Sequence, residues 1–284
     1  MNKLWIVVKD GFYDSYVFMY HGSIKPTTEE LQKHLHVYIV TQLDRLCQIF
    51  YNFLLKKMIN HLWIIMDWNR RWAKKRGLPG LMWHKSGAEN VRKIVKLADE
   101  KWIKFITLWA LSTDNLKKRN EKEVKWIIKL INNIENYLSE MIENGLKLDV
   151  IWNIKELPQE SQNVLNGVIN KTKDNTGIVV TIALIYWWQD EIVRATKKII
   201  KSWINPDLLT KQEFRKYLDT AKLPIVDIIV RTWWDIRHSG FMLYDSEYSE
   251  YYFTDKKWPE FDEDELNKVI NIFNDRNRSQ YWSS

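Results

Sequence analysis

Asp67 closes a short apolar run, LWIIM, and is followed at once by Asn69, Arg70 and Arg71, with His84 a short way downstream. An acid and guanidinium groups at the carboxyl end of a buried strand suit a metal-assisted diphosphate site, because the acid holds a cation and the arginines hold the anion. Taken alone, such an acid is more often a helix cap or turn residue that satisfies free backbone N–H groups. Two further polar clusters follow apolar runs in the same way. KFITLWAL leads into STDNLKKRN, with Ser112, Asn115 and Arg119; IVDIIV leads into RTWWDIRHSG, with Arg231, Asp235, Arg237 and Ser239. Two arginines and a hydroxyl around one turn can clamp a diphosphate, with surface ion pairs an equal alternative. Glu250 stands between aromatic residues, a poor place for a charge unless it is paired or bound to metal. His84 in isolation reads more readily as a satisfied core histidine. Polar loops at neighbouring strand ends share one crevice, and jointly these clusters outweigh their separate bland readings.

The elements that must position them alternate. LWIIM is a strand, and Ser86 to Lys101 a helix with Val91, Ile94, Val95 and Ala98 on one face. KFITLWAL is the next strand, followed by one long helix near Glu121 to Asn144, closed by Gly145 as a C-cap. LKLDVIW is a strand, and Pro158 opens a helix at its first turn. GIVVTIALIY is an almost unbroken apolar strand, as a parallel sheet covered on both faces requires. Asp190 to Lys201 is helical, Thr210 to Glu213 forms a capping box, IVDIIV is a buried strand, and Asp262 to Asn277 a last helix. This order predicts an α/β fold with a mostly parallel central sheet flanked by helices and ligands at the carboxyl ends of its strands. Residues 1–57 read as an N-terminal extension with one amphipathic helix, YIVTQLDRLCQIFYNFLLKKM, and 58–284 as the domain that carries these clusters.

The chain has 284 residues, 45% hydrophobic and 28% charged, enough for one sizeable core. Its net charge of +7 favours anionic partners, but Lys and Arg are spread among acids, so diphosphates and lipid headgroups stand beside nucleic acid as candidates. The single cysteine, Cys47, excludes a disulfide framework and any CxxC metal knuckle. No apolar run approaches the roughly 20 residues that span a bilayer, and the amino terminus lacks a signal-peptide layout, so the protein reads as cytoplasmic.

The chain from about Ile59 to Arg278 resembles the cis-prenyltransferases, the undecaprenyl (di-trans,poly-cis polyprenyl) diphosphate synthase family. The resemblance rests on HLWIIMDWNRRWAKKRG, WHKSGAENVRKI, ITLWALSTDNLKKR, IALIYWWQDEIV, RTWWDIRHSGF and EYYFTDKKWPEFDEDEL, in the family's order. It implies that Asp67 binds Mg²⁺ with the allylic diphosphate, and that Glu250 contributes to the metal. It assigns Asn69 to condensation and proton loss, Arg71 to the allylic diphosphate, His84 to the diphosphate region, and Ser112 and Asn115 to the loop beside the reacting carbons. Arg231, Arg237 and Ser239 resemble the clamp for isopentenyl diphosphate. Trp68, Arg70, Trp72, Arg76, Asp114 and Arg119 complete the implied substrate-binding set. The implied substrates are isopentenyl diphosphate and an allylic primer such as farnesyl diphosphate, the implied assembly is a homodimer, and the lipid product implies peripheral membrane contact. An apolar tunnel is implied between the helices near Ser86 to Lys101 and Glu121 to Asn144. Gly80 stands where many members carry an arginine, and Asp235 where they carry a glutamate.

Tryptophan is the anomaly: 16 Trp against 9 Gly. Trp68, Trp83, Trp187, Trp188, Trp233 and Trp234 occupy glycine positions of the family motifs, and Trp63, Trp102, Trp152 and Trp203 positions where Gly is common; Trp72 and Trp258 match true family tryptophans. The one-directional replacement leads to the expectation that UGA codons, translated here as Trp, are read as Gly in the source organism. A literal Trp68 would crowd the phosphate-binding turn. Met58, just before the first motif, is read as the true start. Two other functions stay open at this point: a non-catalytic subunit of a prenyltransferase complex, and an RNA-binding protein using basic and aromatic surface.

Overall fold

The computed structural model describes residues 3–10, 13–21, 27, 42, 58–67, 77, 82–112, 121–151, 156–233 and 235–281; for the two N-terminal strands and for 82–84, 112, 122 and 277–281 it describes the backbone alone. The chain divides into two compact units, Met1–Lys56 and Lys57–Ser284. In the first, β1 (Lys3–Asp10) and β2 (Tyr13–His21) pair antiparallel as a hairpin. Sequence reading placed one helix in the extension and assigned no strand there, so this hairpin went unrecognised. Of the helix expected over YIVTQLDRLCQIFYNFLLKKM, only Gln42, in helical conformation, and Met58, in no regular element, are among the described residues.

The second unit is built on a six-stranded parallel sheet in the order β5-β6-β4-β3-β7-β8. Its strands are β3 (His61–Ile65), β4 (Phe105–Ser112), β5 (Lys147–Ile151), β6 (Val179–Tyr186), β7 (Ile228–Thr232) and β8 (Glu250–Thr254). The apolar runs form strands because both faces are covered and successive side chains alternate between them. Leu62 and Ile64 pack on one face with Ile94, Ala98, Val269 and Phe273; Trp63 and Ile65 pack on the other with Tyr186, Ile229 and Phe241. Asp227 pins the start of β3 by accepting the N–H groups of Asn60 and His61 at 2.7 and 2.9 Å.

The helices are α1 (Met82–Glu100), α2 (Glu121–Asn132), α3 (Leu138–Glu143), α4 (Gln159–Thr172), α5 (Trp188–Ser202), α6 (Lys211–Arg215) and α7 (Glu263–Tyr281). The single helix expected from Glu121 to Asn144 is instead broken by a 3₁₀ segment, Asn133–Tyr137. The adjacent Asn132 and Asn133 are poor helix formers, and Tyr137 leaves the helical region at φ −102°, ψ 3°. Pro158 caps α4, and the Thr210 hydroxyl accepts the Glu213 N–H at 3.1 Å as half of the expected capping box.

Two helix ends adopt the same left-handed exit with different residues. Gly145 has φ +65°, and the next N–H, that of Leu146, bonds to the Met141 carbonyl at 2.8 Å. Trp102 has φ +63°, and the next N–H, that of Ile103, bonds to the Ala98 carbonyl at 3.0 Å. This is the Schellman geometry, in which glycine is the favoured occupant.

Candidate active site at the carboxyl ends of the strands

β3 and β7 are register-paired so that Ile65 lies opposite Arg231. Asp67, two residues beyond the strand, therefore sits against the end of β7. Its backbone N–H donates to the Thr232 hydroxyl at 2.9 Å, and its carbonyl accepts the Trp258 N–H at 3.3 Å. Its carboxylate Oδ2 accepts both Nε and Nη2 of Arg231, at 2.8 and 2.6 Å. Arg231 is only 5% exposed. Burial holds the Asp67 carboxyl above its ordinary range, opposed by the neighbouring Arg231 charge.

Arg231 is the hub of the cluster. Its Nη1 donates to the Ser239 hydroxyl at 2.7 Å and to the Arg237 carbonyl, and its Nη2 lies 3.5 Å from Asp235. Asp235 in turn pairs with Arg237 at 2.8 Å. The turn is tight, with Ser239 at φ +51° and Gly240 at +71°. The result is one buried guanidinium and one exposed one, two carboxylates and a hydroxyl gathered at a sheet end. Such an arrangement recognises an anion with several oxygens, and a divalent cation carried with it.

Asp67, Arg231, Arg237 and Ser239 are thus brought together. Glu250 is not. It opens β8 opposite Ile228, at the amino end of the sheet, and its carboxylate takes Arg276 at 2.5 Å. It lies some five residues down the strand direction from Asp67, roughly 16 Å at about 3.3 Å per residue. Within one chain, then, Glu250 does not share a cation with Asp67, a correction to the expected pair. Sequence reading noted the aromatic neighbours of Glu250 but assigned no strand to EYYFT, which hid this placement. His84 lies in the first turn of α1 and Ser112 ends β4, next to the same sheet edge, with side chains outside the description. Trp68, Asn69, Arg70, Arg71, Trp72, Arg76, Asp114, Asn115 and Arg119 lie outside the described residues. Thr232 was missed because a threonine ending an apolar strand has no signature of its own.

Beside this cluster opens an apolar cavity of about 350 Å³ between α1, the α2-to-α3 segment and one face of the sheet. Met66, the residue before Asp67, lines one end together with Gly87, Ala110 and Leu184; Leu146, Leu148 and Ile178 line the other. The Trp258 indole N–H donates to the Gly87 carbonyl at 2.9 Å, and Asn90 donates to the carbonyls of Trp258 and Phe261 at 2.6 and 3.0 Å. These bonds tie α1 to the wall beside Asp67. Among the described residues, no helix is long and apolar enough to cross a membrane, and no group of three His, Cys, Asp or Glu residues gathers at one point.

An anion cluster at the mouth of an apolar cavity defines an enzyme that handles a charged head carrying a hydrocarbon tail. Comparison with known proteins states which. The Prenyltransf family model, that of undecaprenyl diphosphate synthase, matches residues 65–280. The chain is 39% identical to an isoprenyl transferase of Clostridium perfringens over 227 residues, covering 78% of this chain and 89% of that one. It is also 39% identical to an isoprenyl transferase of Treponema denticola, covering 78% and 96%. In structure it is similar to the lavandulyl diphosphate synthase of Lavandula x intermedia solved with dimethylallyl diphosphate, with a TM-score of 0.73, 27% identity, and coverage of 76% and 95%. The chain belongs to the undecaprenyl diphosphate synthase family of cis-prenyltransferases, and is a transferase of prenyl chain elongation.

Proposed function

We propose that the protein condenses isopentenyl diphosphate units onto an allylic primer, farnesyl diphosphate, and releases a long-chain polyprenyl diphosphate that serves as a carrier lipid for cell-wall glycans. The observation that carries this reading is the Asp67–Arg231–Ser239 cluster at one end of a cavity whose wall begins at Met66. The polar end suits diphosphate and the apolar end suits the growing chain.

The cation would be Mg²⁺, and the residues present fit it. A single guanidinium here touches two carboxylates, Asp67 and Asp235. Mg²⁺ takes one or two carboxylates and completes its shell with water and substrate phosphates, so a larger ligand group is not required. When bound, Mg²⁺ supplies positive charge that neutralises the leaving diphosphate. Asp67 holds the cation; Arg231, Arg237 and Ser239 bind and orient the isopentenyl diphosphate. As the allylic carbon–oxygen bond breaks, its electron pair leaves with the diphosphate. The alkene of the second substrate bonds to the freed carbon, and the resulting cation loses a proton to the departing diphosphate, with assistance from Asn69. The cavity keeps water from the allylic carbon until the new bond forms.

The protein is proposed to work as a homodimer that meets the membrane peripherally to deliver its product. Incubation of the purified protein with farnesyl diphosphate, radiolabelled isopentenyl diphosphate and Mg²⁺ tests the function. Label should enter butanol-extractable polyprenyl diphosphate, and chelation should stop it. No incorporation by a folded protein with glycine at the family's glycine positions overturns the proposal.

A further inference from the structure

We propose that Arg92, Tyr137 and Glu140 form a latch across the outer wall of the apolar cavity and thereby determine the length of the chain released. This rests on the function proposed above. Arg92 on α1 reaches across to α3, where its Nη2 meets Glu140 Oε2 at 2.5 Å, and its guanidinium stacks over the Tyr137 ring at 4.6 Å. All three residues line the cavity. Arg92 and Glu140 side chains are each 49% exposed, so the pair lies where the cavity wall meets solvent. Tyr137 ends the 3₁₀ segment and Glu140 lies in the first turn of α3, so both partners of Arg92 come from the stretch where the helix is interrupted.

A half-exposed ion pair is weak, and a cation–π contact adds modestly to it. Weakness suits the role, since the wall must stay shut while the chain is short and yield when the chain presses on it. The pair joins two separate helices, so its opening widens the gap between them without disturbing the sheet or the Asp67 cluster. Closed, the latch limits the hydrocarbon that the cavity accepts; open, it gives the chain a path outward toward lipid.

Product analysis of Arg92→Ala, Glu140→Ala and the swapped double variant Arg92→Glu with Glu140→Arg tests this. Each single variant should shift the product to longer, more dispersed chains with the first condensation unchanged, and the swap should restore the original distribution. Binding of a fluorescent long-chain alkyl probe to the same proteins reads cavity access without catalysis, and should be several-fold faster in the single variants. Identical product lengths, or identical probe kinetics, in all four proteins overturn the latch. Absence of polymer from every protein, with probe kinetics that still differ, counts against the proposed function and leaves the latch standing.

A different observation carries a second inference. Of the six non-glycine residues with positive φ among the described residues, three are tryptophans: Trp102, Trp203 and Trp233, at +63°, +54° and +74°. Trp102 and Trp203 are 65% and 92% exposed, so burial does not hold them in that conformation. Trp63 is fully buried with its indole N–H unpartnered. The geometry points to glycine at 102, 203 and 233 in the protein as the source organism makes it, with UGA as the codon read. Codons from the gene and peptide masses from source cells decide it. UGA codons with glycine masses are expected; UGG codons, or tryptophan masses, at these positions overturn it.

Discussion

Asp67 and Arg231 are 164 residues apart in sequence and form a two-point ion pair at 2.6 and 2.8 Å where β3 and β7 end side by side. The pair joins the two halves of the proposed chemistry, the acid for the cation and the guanidinium for the anion. Asp67→Ala should lower polymer synthesis by about 100-fold or more, the scale of losing a preorganised electrostatic group. Arg231→Ala should act in the same direction and destabilise the fold by roughly 1–3 kcal/mol, below the figure for a fully buried pair because Asp67 retains contact with water. Rate assays and chemical denaturation of the two single variants and the double variant give the coupling directly.

Thr232 positions Asp67 without belonging to the charge cluster. Its hydroxyl accepts the Asp67 N–H at 2.9 Å and donates to the Ile65 carbonyl at 3.3 Å. Thr232→Val keeps the shape and removes both bonds, while the Asp67 N–H still reaches the Ile65 carbonyl at 3.1 Å, so the cost should be that of lost hydrogen bonds, about 0.5–1.5 kcal/mol. The expected signature is a reduced kcat with a smaller change in KM, partly recovered in Thr232→Ser. Equal kinetics in Thr232→Val and the unaltered protein would remove Thr232 from the site.

Acid should silence catalysis earlier than an ordinary carboxylate predicts. Burial raises the Asp67 carboxyl, so on acidification its charge is lost at a higher pH than that of a solvated Asp. The acid limb of kcat/KM should shift accordingly, and Arg231→Gln, which removes the opposing positive charge, should move it higher still. A limb that stays in place in Arg231→Gln would assign it to another group.

Stability should also fall on the acid side, through His61. Its Nδ1–H donates to the Pro224 carbonyl at 2.9 Å and its Nε2 accepts from the Thr107 hydroxyl at 2.8 Å, so the ring is held neutral. Burial lowers its pKa from 6.5 to about 4. The unfolded chain therefore takes up a proton as pH drops through 6.5 while the folded one resists until about 4. Its contribution is full above pH 6.5 and shrinks by as much as roughly 3 kcal/mol across that window. Urea midpoints between pH 7 and 4 should show the slope, and His61→Gln should flatten it.

The sheet was legible because β3, β4, β6 and β7 are unbroken apolar runs, which only a two-sided parallel sheet buries fully. The ion pair at the sheet end was legible where a polar residue follows such a run at once, as with Asp67 and Arg231. What escaped depended on contacts between distant segments. Glu250 sits in an edge strand of aromatic residues that does not look like β5 or β6, and nothing local shows that its end of the strand faces away from Asp67. The break at Asn133–Tyr137 was hidden by an apolar periodicity that continues through Ile131 and Ile134 into α3. The β1–β2 hairpin was hidden because its strands lack clean alternation.

The strand order also dictates when during synthesis the protein becomes competent. β3, at the centre of the sheet, emerges from the ribosome early, yet its neighbour β7 follows 163 or more residues later. At about 5–20 residues per second, Asp67 waits roughly 8–30 seconds for its arginine. Through that interval the nascent polypeptide carries a greasy ribbon with one flank unclaimed, and any stalled or prematurely ended product keeps it.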